Sequence, residues 1–137
     1  MSRRESNSIS VTLRWRGNEA IGPAVDAARD FGAVKGLTDD DSERLCILVE
    51  ELVANLYDHG GLTEEHEIEL SLHGYPDRIG IILTDPGKPF DPRQVPLNRD
   101  RPERGGGAGI DIIRSWAQFI DYSATQDGNR LELTLPI

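Results

Sequence analysis

A single cysteine, Cys46, leaves this chain without an internal disulfide, so its fold has to rest on packing alone. Cys46 lies in the apolar run RLCILVE and reads as a small buried hydrophobe. Cationic side chains are scarce: 15 Lys and Arg stand against 24 Asp and Glu, a net charge of −9. That balance opposes binding to DNA, RNA or an anionic membrane, which depends largely on neutralising phosphates. No stretch approaches the roughly 20 apolar residues of a membrane span. The start MSRRESNSIS has no apolar run of the kind that directs secretion, and a reducing cytoplasm is the expected location. Repeats of solenoid length and low-complexity tracts are also missing.

Several chemical signatures are lacking too. The chain has no G-x-x-x-x-G-K-[ST] phosphate loop, no strand-G-x-G-x-x-G-helix dinucleotide site and no G-x-S-x-G elbow. His59, His66 and His73 fall on different elements with no cysteine nearby, which excludes a Cys/His metal cluster.

What is present fits one domain of 137 residues, with residues 1–7 as a loose polar tail and residues 8–137 as the folded unit. Ser8 to Trp15 alternates apolar and polar, the pattern of a half-buried strand ended by Gly17. Ile21, Val25, Ala28 and Phe31 recur at helical spacing up to Gly36. Thr38 and Asp41 form a capping-box-like pair that opens a second helix running to about His59. Ile68, Leu70 and Leu72, then Ile79, Ile81 and Leu83, alternate on either side of the turn YPDR as a hairpin. The stretch from Pro86 to Gly109 is rich in Pro and Gly and has no apolar period, and a loop this long inside a compact domain usually has a function. A third helix is expected from Gly109 to about Gln118, then strands over Phe119–Thr125 and around Leu131, Leu133 and Leu135, with the turn at Asp127-Gly128-Asn129. The order implies an α+β two-layer sandwich, with helices on one face of a mixed or mostly antiparallel sheet.

The second helix carries an unusual row. At about 100° per residue, Leu45, Leu48, Val49, Leu52 and Leu56 share one arc. Asn55 and His59 lie about 40° and 80° from Glu51, at or inside the edge of that arc, while Glu50 faces away. A polar row half-withdrawn from water needs a partner. One reading has Asn55 and His59 closing the helix end and Glu51 solvated; the other has all three meeting a ligand. Asp85 shares the parity of Ile79, Ile81 and Leu83, so its carboxylate leaves the strand on the apolar face. Either it belongs to an ordinary Asp-Pro-Gly turn, or it awaits a donor such as the exocyclic amine of adenine, with Gly87 allowing close approach. The glycines of RGGGAGIDII run into a helix start, where exposed amides attract phosphate. Between them stand Lys88, Arg93, Arg99, Arg101 and Arg104 against Asp91, Asp100 and Glu103, a local excess of two positive charges. This suits a polyphosphate lid over about residues 88–108, or else a solvated charged loop.

In order, E-x-x-x-N-x-x-x-H (Glu51–His59), D-x-G-x-x-F-D-P (Asp85–Pro92) and G-x-G-I (Gly107–Ile110) resemble the N, G1 and G2 boxes of the GHKL ATPases. Within that superfamily, the short chain and the form E-E-L-V-x-N-x-x-x-H-G resemble the stand-alone anti-sigma-factor serine/threonine kinases. Two positions depart from the usual pattern: Pro89 stands where many relatives have a second glycine, and Ile110 replaces leucine. The resemblance implies an ATP site. Asn55 would hold Mg²⁺, and Asp85 would read adenine with His59, Gly87 and Phe90 around it. Arg104, Gly105, Gly107 and Gly109 would cradle phosphates. Glu51 would be the general base activating a serine or threonine of a STAS-type anti-anti-sigma partner, and a sigma factor would be the second partner. Relatives often pair through the sheet, and an edge strand offers a surface for such a homodimer. Two rivals remain at this stage: a nucleotide-gated switch that sequesters a partner without phosphoryl transfer, and the detached ATPase domain of a histidine kinase.

Overall fold

A computed structural model of the chain describes residues 9–94 and 106–137. The proposed tail, most of the proposed lid, Arg99, Arg101, Arg104 and Gly105 lie outside these residues. The described part contains strand β1 (Ser10–Arg16), a short 3-10 turn (Asn18–Ala20), and helices α1 (Ile21–Lys35) and α2 (Asp39–His59). Strands β2 (Glu67–Tyr75) and β3 (Arg78–Asp85) follow, then a second 3-10 turn (Pro92–Gln94), helix α3 (Gly106–Trp116), and strands β4 (Gln118–Thr125) and β5 (Gly128–Pro136). The sheet runs β1-β2-β3-β5-β4, and every pairing is antiparallel. This is the α+β sandwich expected, with the sheet wholly antiparallel rather than mixed.

Alternation decides which face is covered. Ile68, Leu70 and Leu72 of β2, Ile79, Ile81 and Leu83 of β3, and Leu131, Leu133 and Leu135 of β5 are all buried on one side. Against them pack Leu45, Leu48, Val49, Leu52, Val53 and Leu56 of α2, with Ala24, Ala28 and Phe31 of α1 and Ile113 of α3. Each large side chain taken out of water here contributes about 1.5–3 kcal/mol, so this layer dominates stability. Cys46 belongs to it, and burial pushes its thiol pKa up, away from reactivity. The opposite face is polar: Arg14 pairs with Glu69 at 2.7 Å and Thr12 meets Ser71 at 2.9 Å. Exposed pairs of this kind add little.

Local signals held at most boundaries. The side chain of Thr38 accepts from the Asp41 amide at 3.1 Å, and Asp39, Asp40 and Asp41 fill the first turn of α2. Two boundaries moved. Helix α3 starts at Gly106, three residues before the expected start, because three glycines cost helix propensity without forbidding helix when the following face packs on the core. The β4–β5 turn is Gln126-Asp127, since Thr125 pairs with Gly128 and Asn129 already lies in β5, opposite Asp85. Among the described residues no helix is long and apolar enough to cross a membrane.

The Thr38 cap lies at the other end of α2 from Glu51, Asn55 and His59 and gives a control for stability alone. Thr38→Ala should cost about 1 kcal/mol, lowering Tm by about 4 °C in a calorimetric scan. An unchanged Tm would mean that the cap contributes nothing.

Candidate functional site

The i, i+4 spacing on α2 places Glu51 and Asn55 one turn apart on the same side of the helix. Glu51 is half-buried, and its carboxylate lies against Gly109 in α3, where a β-carbon would overlap it. Only glycine lets the two elements meet this closely. Burial, followed by the nearby charges of Glu50 and Asp58, raises the Glu51 pKa above the ordinary carboxylate value. The group is thereby a stronger base than a solvated glutamate.

Asn55 is 4% exposed, and its amide Nδ2 has no hydrogen-bond partner. An orphaned buried donor costs about 1–3 kcal/mol, so a group that accepts from it would recover that energy. His59 behaves differently from the helical-wheel expectation. It is exposed, and its ring stacks on Phe90 with centroids 5.0 Å apart and planes at 15°.

Asp85 ends β3 with its side chain on the covered face, 8% exposed, as its parity predicts. Its Oδ1 accepts from the Gly87 amide at 2.8 Å and from the Asn129 side chain at 3.1 Å. Burial raises its pKa, while those two donors and the charge of His66 pull in the other direction without cancelling the rise. After Asp85 the chain turns onto the end of α2. The Lys88 amide donates to the Gly60 carbonyl at 2.8 Å, and a β-carbon on Gly87 would come within 2.5 Å of that same oxygen. The G1-like loop and the N-like helix are thus joined backbone to backbone.

Asn55 and Asp85 line one cavity together with Leu52, Leu56, Leu83, Phe90, Pro92, Tyr122, Asn129 and Leu131. Its free volume is about 10 Å³, the size needed for a single water, so it is too small for a nucleotide base in this conformation. A larger, open hollow lies on the polar side of the sheet, walled by Arg14, Glu69, Thr84, Ser123 and Arg130. Glu51, Asn55 and His59 do not line it, whereas Asp85 and Asn129 border both spaces.

Two residues of this site were missed in the sequence. Tyr122 donates to Asn129 Oδ1 at 3.0 Å and accepts from the Phe90 amide at 2.8 Å. Asn129, 7% exposed, was assigned to a turn, and only its strand register with Asp85 reveals it. Arg93, counted among the lid cations, is occupied by Asp91 in a two-pronged pair at 2.7–3.1 Å that holds the Asp91 carboxyl below its usual range. Gly107 lies in the first turn of α3. No group of three or more His, Cys, Asp and Glu able to hold a metal is found among the described residues. Mg²⁺ commonly takes one or two protein oxygens and completes its shell with phosphate and water, and the buried side chain of Asn55, with its unpartnered amide, is of a kind that could serve there.

The model of the family described as the histidine kinase-like ATPase domain matches residues 15–135. The serine-protein kinase RsbW of Halalkalibacterium halodurans is 35% identical over 94 residues, which are 63% of this chain and 57% of that protein. The chain therefore spans just over half the length of that relative. Among solved structures, the histidine kinase domain of the blue-light-activated histidine kinase of Erythrobacter litoralis EL346 superposes with a TM-score of 0.54 at 14% identity, over 87% of this chain and 60% of that one. The nucleotide-free catalytic domain of the histidine kinase ThkA gives 0.51 at 13%, over 92% and 97%. With its family match running from β1 into β5 and its sheet and helices shared with two kinase domains, the chain belongs to the histidine kinase-like ATPases of the GHKL superfamily.

Proposed function

We propose that this chain binds Mg-ATP and transfers the γ-phosphoryl group to a serine or threonine of a STAS-type anti-anti-sigma protein, and that it holds a sigma factor when not so engaged. The observation that carries the reading is the unpartnered Asn55 amide, set one helical turn from Glu51 and sharing a cavity with the buried Asp85. A stability-driven core would have no use for three such groups together. The similarity to a serine-protein kinase supports the choice of hydroxyl over histidine as acceptor.

In this reading residues 8–137 act as one cytoplasmic domain, with about residues 88–108 as a lid. Asp85 accepts from the adenine amine, and His59, Gly87 and Phe90 form the wall around the base. Entry of the base requires this cavity to widen, because it has room for only about one water. Asn55 offers its side-chain oxygen to Mg²⁺ and its NH₂ to a phosphate oxygen. Arg104, Gly105, Gly107 and Gly109 line the phosphate path at the start of α3. Bound Mg²⁺ would neutralise charge on the transferring phosphoryl group. Glu51 takes the proton of the attacking hydroxyl as its oxygen bonds to phosphorus and the bridging oxygen leaves with ADP. The raised pKa of Glu51 suits a base working near neutrality. Strand β1 is an edge of the sheet, and a homodimer through it belongs to the same reading.

Two experiments test this. With Mg-ATP and a candidate STAS partner, Glu51→Gln should lower phosphoserine or phosphothreonine formation about 10²- to 10⁴-fold while ATP affinity changes little. Nucleotide binding without transfer to any partner by the unmodified protein would instead favour the sequestering switch. Asp85→Asn should weaken ATP binding at least about tenfold by calorimetry, from the loss of a hydrogen bond to a charged group. Its stability should move the other way. A buried carboxylate with a raised folded-state pKa costs stability at neutral pH, and the cost fades as pH falls through that pKa. Tm of Asp85→Asn at pH 7 should therefore equal or exceed that of the parent, with the gap narrowing in acid. Undiminished ATP affinity in this variant would remove Asp85 from the site.

A further inference from the structure

The amide of Asn129 and the hydroxyl of Tyr122 form a connected network behind the Asp85 carboxylate. Asn129 Nδ2 lies 3.1 Å from Asp85 Oδ1, 3.0 Å from the Gly87 carbonyl and 3.0 Å from the Lys88 carbonyl. Asn129 Oδ1 accepts from Tyr122, and the same hydroxyl accepts from the Phe90 amide. One side chain of β5 and one of β4 therefore bind four positions of the segment from Asp85 to Phe90: Asp85, Gly87, Lys88 and Phe90. These bonds join the carboxylate to the backbone that carries Phe90. Such a connected, buried network is more than local packing, because each bond orients the next.

We infer that Asn129 and Tyr122 are positioning residues for base recognition: they hold the Asp85 carboxylate and the Phe90 backbone in one arrangement, so that the acceptor is already oriented for a purine bearing an exocyclic amine when the cavity widens to admit it. This rests on the reading of Asp85 as the adenine acceptor. Both protons of the Asn129 amide are directed at protein oxygens, so Asn129 acts through Asp85 and the loop. Asp85 Oδ2 has no partner among the described hydrogen bonds, which leaves that oxygen as the acceptor for the base.

The network also sets where the carboxylate titrates. Around Asp85 are His66, whose charge favours the ionised form, and the hydroxyls of Tyr57 from α2 and Tyr122 from β4, neither of which is charged near neutrality. Asn129 and the Gly87 amide favour the ionised form by direct donation. Without Asn129 the carboxylate protonates at higher pH. The charge of His66 favours the ionised carboxylate, so it cannot produce such an upward shift.

The test uses the full chain with three readouts: amide hydrogen exchange at Phe90 in the free protein, ATP and GTP affinity by titration from pH 5 to 8, and Tm. In Tyr122→Phe, exchange at the Phe90 amide should accelerate and ATP should bind about 2- to 10-fold more weakly, the effect of one neutral hydrogen bond. In Asn129→Leu, the acid limb of ATP affinity should move upward by about one pH unit, the equivalent of one lost bond to a charged group, and preference for ATP over GTP should shrink. The milder Tyr122→Phe variant keeps the question open to measurement if Asn129→Leu does not fold. An ATP loss in Asn129→Leu that is equal at every pH and equal for GTP would overturn the inference in favour of general loosening. So would wild-type affinity and exchange in Tyr122→Phe. If the unmodified chain bound no ATP, or Asp85→Asn bound it normally, the nucleotide reading itself would be at fault and this inference would fall with it.

Discussion

The structure around the site depends on one constraint: a carboxylate that leaves its strand into an apolar layer. Asp85 follows Ile79, Ile81 and Leu83 on the same side of β3, so the strand's own alternation puts it there. A buried carboxylate without donors is expensive, and the neighbouring chain is shaped to supply them. Gly87 turns back to donate its amide, and Asn129 reaches across from β5. The same turn brings the Lys88 amide onto the Gly60 carbonyl at the end of α2. Satisfying one charge thus fixes the path of the chain that lines the cavity.

Helix α2 carries the other half. Its apolar stripe is the largest single contribution to the core, so its rotation about its own axis is set by packing and not by the polar residues at its edge. Glu51 and Asn55 are delivered to the cavity side by that rotation. Glu51 meets α3 across a glycine, while Asn55 is driven under the surface with a donor unmet. A fold chosen only for stability would remove such a group, and its retention marks the place where function and stability conflict.

Superposition on two histidine kinase domains at 13–14% identity establishes a shared frame and no more. What separates members of such a frame is which side chains stand at its cavity. Here the acid at the end of β3 is backed by an asparagine and a tyrosine from the last hairpin, and the arginine nearest the described start of the lid is already paired with Asp91. The open hollow shares Asp85 and Asn129 with this cavity, so the end of β3 and the start of β5 border both.

The sequence by itself determined the elements, the covered face of the sheet, the burial of Asp85 and the one-turn relation of Glu51 to Asn55. All of these are local: a strand alternates every two residues and a helix repeats every 3.6, so residue order alone states which side chains share a face. Only the tertiary structure decided that Asn129 stands beside Asp85, that Tyr122 reaches the Phe90 amide, that Glu51 lies against Gly109 and that His59 is exposed on Phe90. These depend on strand register and on where separate elements come to rest. A turn placed one or two residues off is enough to hide them, as happened at Gln126-Asp127. Periodicity fixes which side of an element a residue occupies; contact between elements is settled by the packing of the whole core.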